Sequence, residues 1–501
     1  MASGIRGLMK DTAVYGLSTI LVRLLNWLMT IVYVRALPGT ADFGNMTNLY
    51  AWTALAMIVL TYGMETGFFR FINKAERPNE VYSTTLWSLG ATSTFFLCAG
   101  LLFLRPLSGS MGYADHPEYV GLLLAIVAMD AFMAIPLAYL RYANRPWRFM
   151  FVRLTFILLT IVLTIFFLFL CPRIYALHPE WIDSFYRPNY ELGYVFVINF
   201  ICNLVQMAML FPHWRHAGRV FRPDVLRKML AYSFPILLLG LAGSFNNQAD
   251  KILFPMLFDD PAEGKAQLGI YGACYKLAII MVMFTQAFRY AYDPFVFAKI
   301  KSGEEEGKES YATAMKYFVI FVCFIYLGVM AYMDILKHFV SPAYYGGLKV
   351  VPFVMLGQLM FGIYFNLSLW YKVTDRTIWG AVFSLIGCVT TVLIIVFGAR
   401  TYGFMACAWA SVISNGLIML LSYFMGRHYF PVPYRLGNAL FYAALTALLV
   451  GGTYCVAYLF PQYTALRLGV NTLFVLLFVI IAFRKDLSGI AVPILNRIRK
   501  R

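Results

Sequence analysis

The sequence predicts an all-α membrane protein with about fourteen transmembrane helices, arranged as two six-helix lobes related by a parallel pseudo-twofold repeat plus two extra C-terminal helices. Three observations predict it. Apolar residues make up 61% of the 501 and charged residues only 13%, with a mean hydropathy of +0.70, whereas a soluble domain carries roughly 25% charged residues. The apolar residues gather into stretches of about 20, the length that crosses a hydrocarbon core. The basic residues, finally, are rich in every second loop and sparse in the others.

The stretches fall at 12–36, 46–69, 81–104, 119–140, 150–171, 191–212, 230–256, 267–294, 314–334, 350–371, 377–398, 402–426, 436–460 and 465–484. The first follows charged residues, lacks a small-residue cleavage site and contains Arg23, so it is expected to be a retained helix rather than a signal peptide. With the N-terminus placed in the cytoplasm, 27 of the 41 basic residues fall in inner segments and 9 in outer ones. By the positive-inside rule both termini are expected in the cytoplasm. One missed helix would scramble that alternation downstream, so the bias also supports the number of spans.

A net charge of +17 would suggest nucleic acid in a soluble protein. Here the basic residues sit in short loops, which points to an anionic membrane leaflet. The longest inner linker, 213–229, divides six spans from eight, and its Arg, His, Trp and Phe suit a membrane interface. The expected organisation is an N-terminal lobe at 1–212, the linker at 213–229, a second lobe at 230–426, and two extra helices with a basic tail at 427–501. The lobes share a faint repeat: Ala41, Phe43, Gly44 and Tyr50 match Ala266, Leu268, Gly269 and Tyr275, all at an offset of 225. Both sets open the second span of their half, as expected for a parallel repeat.

An ionisable group within a bilayer is costly unless it is paired or faces a cavity, so such groups are the candidate functional residues. The bases are Arg23 in span one, Lys251 in span seven, and Lys276 and Arg289 in span eight. The acids are Glu65 in span two, Asp130 in span four, Asp250 in span seven and Asp293 at the end of span eight. A cationic cavity suits phosphate, which Arg binds bidentately. Internal pairing is the alternative: Arg289 and Asp293 lie four apart on one helix, and Glu65 and Asp130 can either bind a coupling ion or neutralise an Arg such as Arg23 or Arg70. Span seven also carries Asn246, Asn247 and Gln248 beside Asp250 and Lys251. Five polar residues do not face lipid, so they hold helices together or line a path. Pro136 and Pro235 are expected to kink their helices.

Enzyme signatures are missing. The six histidines have no metal-ligand spacing. There is no phosphate loop and no Ser-His-Asp or Cys-His grouping. The eight cysteines lie in or beside apolar stretches without a CxxC, as small packing residues do.

Three segments carry a family resemblance: the opening KDTAVYGLSTILVRLLNWLMTIVYVRAL followed by ADFG, the stretch YGMETGFFRF at 62–71, and ADKILFPMLF with LGIYGACYKLA and AFRYAYDPFVF after it. In these and in its six-six-two layout the chain resembles the polysaccharide flippases (Wzx type) of the multidrug/oligosaccharidyl-lipid/polysaccharide exporter superfamily. The resemblance implies two lobes around a cationic cavity. It also implies alternating-access movement of polyprenyl-pyrophosphate-linked oligosaccharide from the inner to the outer leaflet, for surface polysaccharide such as lipopolysaccharide O-antigen. In the related lipid II flippases, basic residues of spans one and eight contact the diphosphate. Arg23 and Arg289 hold matching spans here, with Lys276 and Lys251 as further candidates. The last two helices of those proteins form a lipid-tail groove, a role open to 436–460 and 465–484. The expected protein is a monomer of the bacterial inner membrane, not an enzyme, and needs no cofactor. Its partners are the lipid-linked oligosaccharide, anionic phospholipids and other polysaccharide-assembly proteins, not nucleic acid. A lipid II flippase, a cation-coupled drug exporter and an integral-membrane glycan polymerase or ligase stay open. Drug exporters of the superfamily usually have twelve spans and would prefer an acidic cavity.

Overall fold

A computed structural model describes residues 21–487 apart from 216, 219, 303 and 375, with side chains for all of these except 215, 239, 289–307 and 487. The described residues are helical, with no strand among them. In order come α1 (21–36), α2 (Thr40–Thr61), α3 (Met64–Ile72), α4 (Pro78–Leu102), α5 (Leu104–Ser110), α6 (Pro117–Tyr142), α7 (Pro146–Ile165), α8 (Cys171–Leu177), α9 (Glu191–Arg215), α10 (Pro223–Ile252), α11 (Pro261–Ser302), α12 (Glu304–Ala331), α13 (Met333–Leu336), α14 (Val351–Leu367), α15 (Leu369–Val373), α16 (Ile378–Tyr402), α17 (Met405–Tyr429), α18 (Leu436–Leu459) and α19 (Thr464–Ala482). Among the described residues 13 candidate membrane spans emerge, beginning with Thr40–Ile72. They correspond one to one with expected spans two to fourteen, and α1 is the described part of span one. Residues 1–20, with the start of span one, and the tail 488–501 lie outside the described residues.

The helices outrun the apolar stretches because hydropathy marks only the hydrocarbon depth. The second span runs from Thr40 to Ile72, where hydropathy alone reads 46–69. Proline sets several starts: Pro78, Pro117, Pro146, Pro223 and Pro261 each occupy the first position of their helix, where the missing N–H costs nothing and the fixed φ suits the first turn. Pro136 and Pro235 lie inside α6 and α10, which continue through them. Between α7 and α8 the chain widens into a π-turn, Phe166–Leu170, just before Pro172. The wider turn makes room for a ring that would otherwise meet a carbonyl of the preceding turn.

Span two is broken in its middle. Tyr62 (φ 35) and Gly63 (φ 71) are both left-handed, so α2 ends and α3 starts in a new direction. Gly63 is needed there twice over: a Cβ would be strained by its φ and would lie 2.9 Å from the Ser233 carbonyl oxygen. Tyr62 is held by a 2.8 Å hydrogen bond to Ser88 of α4.

Large apolar side chains stand fully outward, among them Phe95 at 75%, Leu102 at 78% and Phe397 at 77% exposure. Large apolar side chains so fully exposed and so many are unusual in water and ordinary in lipid.

The chain forms two compact units, Met1–Gly272 and Ala273–Arg501, with the division inside α11. In the first, α10 packs along α2, α3 and α4, and Met64, Phe68, Tyr82, Leu86, Ile135 and Met229 form a buried core. The repeat seen in the sequence becomes a contact here. A Cβ on Gly44 would lie 1.8 Å from the Lys265 carbonyl oxygen, and one on Gly269 would lie 1.8 Å from that of Thr40. Both pairs are related by the offset of 225, so the crossing of α2 and α11 has a local two-fold character. Such approach of two backbones requires the absence of a side chain at both centres.

In the second unit α18 and α19 pack on α12 and are tied to it at both ends. At one end Lys316 and Tyr442 donate to Asp486 at 3.0 and 2.7 Å. At the other, Asn471 donates to the Ala331 carbonyl at 2.8 Å, and Arg467 pairs with Asp334 at 3.0 Å.

Candidate functional site

The first unit has two chemically different ends. Tyr113 of the loop 111–116 hydrogen-bonds Asn48 at 2.9 Å, and Lys265 donates to the Gly112 carbonyl at 2.6 Å. Burial pushes the Tyr113 hydroxyl well above its ordinary pKa, so it stays a donor at any physiological pH. The opposite end carries Lys74, Arg77, Arg145, Arg148, Arg222, Arg227 and Lys228, and is called the basic end below.

Charge enters this unit at two places, of which the larger joins α3, α6 and α7. Glu65, one residue into α3 beyond the break, accepts a hydrogen bond from Arg141 at the end of α6. The Arg141 guanidinium also lies 5.0 Å from the Phe69 ring centre and 6.0 Å from that of Phe149. Arg153, two turns into α7, lies 5.9 Å from the same Phe149 ring. Asp130, midway along α6, faces Arg153 and has Asn203 of α9 beside it. One turn before Asn203, Asn199 donates to the Tyr50 hydroxyl of α2, and Tyr50 is the electrostatic neighbour of both Asp130 and Tyr33 of α1. Two arginines, Arg141 and Arg153, thus lie between the acids Glu65 and Asp130, and the polar chain runs on through α9 and α2 to α1. Two of its buried atoms, Arg141 Nε and Asn203 Oδ1, have no hydrogen-bond partner among the described residues. Unsatisfied polar atoms clustered in an otherwise apolar interior are uncommon.

The polar run of α10 is largely engaged within the first unit. Lys251 Nζ pairs with the Asp250 carboxylate at 2.8 and 3.0 Å and donates to the Asn247 carbonyl at 3.1 Å. Tyr271 donates to Asp250 at 2.7 Å, and Asn48 donates to the Lys251 carbonyl at 2.7 Å. Asn247 is exposed and donates to Gly243 at 3.0 Å, and Asn246 is half-buried. Two of these contacts, from Tyr271 and from Asn48, join α10 to α11 and α2, the others lie within α10, and the Lys251 charge is balanced by its neighbour.

The remaining candidates are not brought into either group. Arg23 is exposed on α1 and has no ion pair among the described residues. Lys276 is half-buried on the part of α11 in the second unit. The side chains of Arg289 and Asp293 lie outside the described residues. Glu65 takes neither Arg23 nor Arg70 as its partner but Arg141, because the break at Tyr62 and Gly63 re-aims α3 toward the end of α6.

Sequence reasoning missed Arg141, Arg153, Asn199 and Asn203. Arg141 reads as a loop residue, since it follows an apolar stretch. Arg153 was legible: it lies inside an apolar stretch, one span after Asp130 and of opposite sign. The two asparagines are ordinary in composition and acquire meaning only from their neighbours across the helix interface.

The polysaccharide biosynthesis protein family matches residues 8–291, more than half of the chain. No curated protein matches it in sequence at a significant level. Among solved structures, the lipid II flippase MurJ in an inward closed conformation is similar at a TM-score of 0.72 and 13% identity, over 94% of this chain and 98% of that one. A multidrug resistance MATE family transporter of the MOP superfamily is similar in its inward-facing conformation at 0.58 and 14%, over 81% and 94%. An outward-facing MATE transporter is similar at 0.56 and 12%, over 84% and 94%. Identities this low speak for the fold alone. The multi-pass helical fold is thus that of the MurJ and MATE structures, and the chain belongs to the polysaccharide biosynthesis protein family.

Proposed function

We propose that this protein is a flippase, moving a polyprenyl-pyrophosphate-linked oligosaccharide from the inner to the outer leaflet of a bacterial inner membrane by alternating access. One observation carries the reading: a chain of a polysaccharide biosynthesis family is built throughout as a transporter fold. The longer connections among its described residues, such as 178–190, are too short to house a separate domain for glycosyl transfer. What such a chain contributes to polysaccharide synthesis is movement of the cargo.

Arg23 and Arg289, with Lys276, are assigned to the pyrophosphate. Lys251 takes a lesser part, since Asp250 balances it. Outward movement of an anion is favoured by an inside-negative potential, by about 2.3 kcal/mol per charge per 100 mV. The sector of Glu65 and Asp130 adds ion coupling, with both termini in the cytoplasm. The test is surface polysaccharide in cells whose flippase carries Arg23→Ala or Arg289→Ala, at matched protein levels. Each is expected to lower export at least about tenfold, the loss of one charge-assisted contact. Normal export in both variants sinks the assignment.

A second reading has its own support, the similarity to a lipid II flippase over nearly the whole of both chains. Proteoliposomes offered either labelled lipid II or a labelled lipid-linked oligosaccharide separate the two, and the oligosaccharide is the expected substrate.

A further inference from the structure

We infer that the seam between α3 and α10, at its basic end, is a docking site for the diphosphate headgroup of the lipid-linked cargo, separate from the Arg23 and Arg289 positions. The inference rests on the cargo reading above in one respect, the identity of the lipid. Its residues are Arg70, Lys74, Lys228 and Tyr232, none of which that reading uses.

The seam is tightly made. Phe71 and Tyr232 meet edge to face at 6.3 Å, and Gly67 approaches so closely that a Cβ would lie 2.6 Å from Ser233 Oγ. On this frame the Arg70 guanidinium lies 4.0 Å from the centre of the Tyr232 ring. A ring face orients a guanidinium and balances part of its charge, while leaving its in-plane N–H donors available. Arg70 is exposed, and no carboxylate pairs with it among the described residues.

Register adds two more cations. Lys74 follows Arg70 by one turn at the end of α3, and Lys228 precedes Tyr232 by one turn on α10. The neighbouring Phe71, Ala75, Val225 and Leu226 pack on one cluster, so these two helix ends lie together. Lys74 and Lys228 are exposed and unpaired among the described residues. The acids of these elements are engaged elsewhere: Glu65 with Arg141, Glu80 with Arg77 and Asp224 with Arg222. Glu76, in the next turn, is exposed and pairs with none of the three.

Charge complementarity decides the occupant. A phosphodiester lipid brings a single negative charge, which one cation satisfies. A diphosphate brings two or more, together with oxygens enough for a bidentate Arg and two ammonium groups. A planar, ring-mounted Arg with a Lys one turn away in register on each helix suits the second.

The experiment uses the full chain in detergent and geranylgeranyl diphosphate as probe, with phosphatidylglycerol as competitor. Arg70→Gln is expected to weaken probe binding about tenfold, and Lys74→Gln with Lys228→Gln by a similar factor. Tyr232→Phe keeps the ring and should bind as the parent does, while Tyr232→Leu binds more weakly. Thermal unfolding of each variant confirms that it is folded. If the Arg70 and double-Lys variants bind like the parent while Arg23→Gln does not, the seam is excluded and the cargo reading stands. If phosphatidylglycerol displaces the probe at equal concentration, the seam is a general lipid surface and the inference falls. If the parent binds no diphosphate at all, both fall together.

Discussion

At the scale of single residues, two charge pairs of the first unit ask for opposite treatment. The Arg141–Glu65 pair is partly exposed, at 36% and 46% of its side chains, and such pairs contribute at most about 1 kcal/mol to stability. Asp130 and Arg153 lie deeper in the helical interior and face one another. Removing one of two facing interior charges strands the other. Asp130→Asn is therefore expected to destabilise the protein by about 3 kcal/mol, and the double variant with Arg153→Gln to recover most of that loss. Thermal unfolding in one detergent measures both. Transport should not recover in the double variant if Asp130 carries the coupling ion; recovery of both stability and transport would reduce the pair to a structural role.

At the scale of elements, the α2–α11 crossing depends on two glycines. Hydropathy cannot single them out, because a glycine scores much the same wherever it lies in a span. The repeat at an offset of 225 pairs Gly44 with Gly269 in the sequence, and the structure puts each against the other's helix backbone. Gly44→Ala and Gly269→Ala each force the helices apart and should each cost about 1–3 kcal/mol. Since both act on one crossing, the double variant should cost less than the sum of the two. Unfolding midpoints of the three variants check this, and strict additivity would contradict a shared contact. The break at Tyr62 and Gly63 is a further element-scale feature. Hydropathy reads 46–69 as one span, so neither the break nor its consequence, the delivery of Glu65 to Arg141, is visible in it.

For the whole molecule, the orientation is an expectation from loop charge and can be measured directly. In a cysteine-free background, Ser184→Cys in the loop after α8 should react with a membrane-impermeant maleimide in intact cells. Arg145→Cys in the loop before α7 should react only after permeabilisation. The opposite pattern would invert the topology and with it the direction of transport. The two ends of the first unit agree in chemistry with this placement, since the basic loops share one end and basic loops stay cytoplasmic.

The sequence alone carries the class of fold, the order of spans two to fourteen and the place of the repeat. Each depends on one-dimensional properties: runs of apolar residues set by bilayer thickness, alternation of loop charge, and recurrence at a fixed offset. It also named Glu65, Asp130, Asp250 and Lys251 as charges out of place in lipid. What each of those charges meets is set by how the helices pack. Lys251 is balanced by Asp250, Glu65 by an arginine that reads as a loop residue, and Asp130 faces an arginine on the next helix. Pairing inside a bundle depends on helix rotation, on breaks such as Tyr62–Gly63, and on which helices pack together, as α10 does on α2 and α3. None of these is written in the period of the apolar residues, so the exposed Arg70 on its tyrosine came into view only when α3 and α10 were seen side by side.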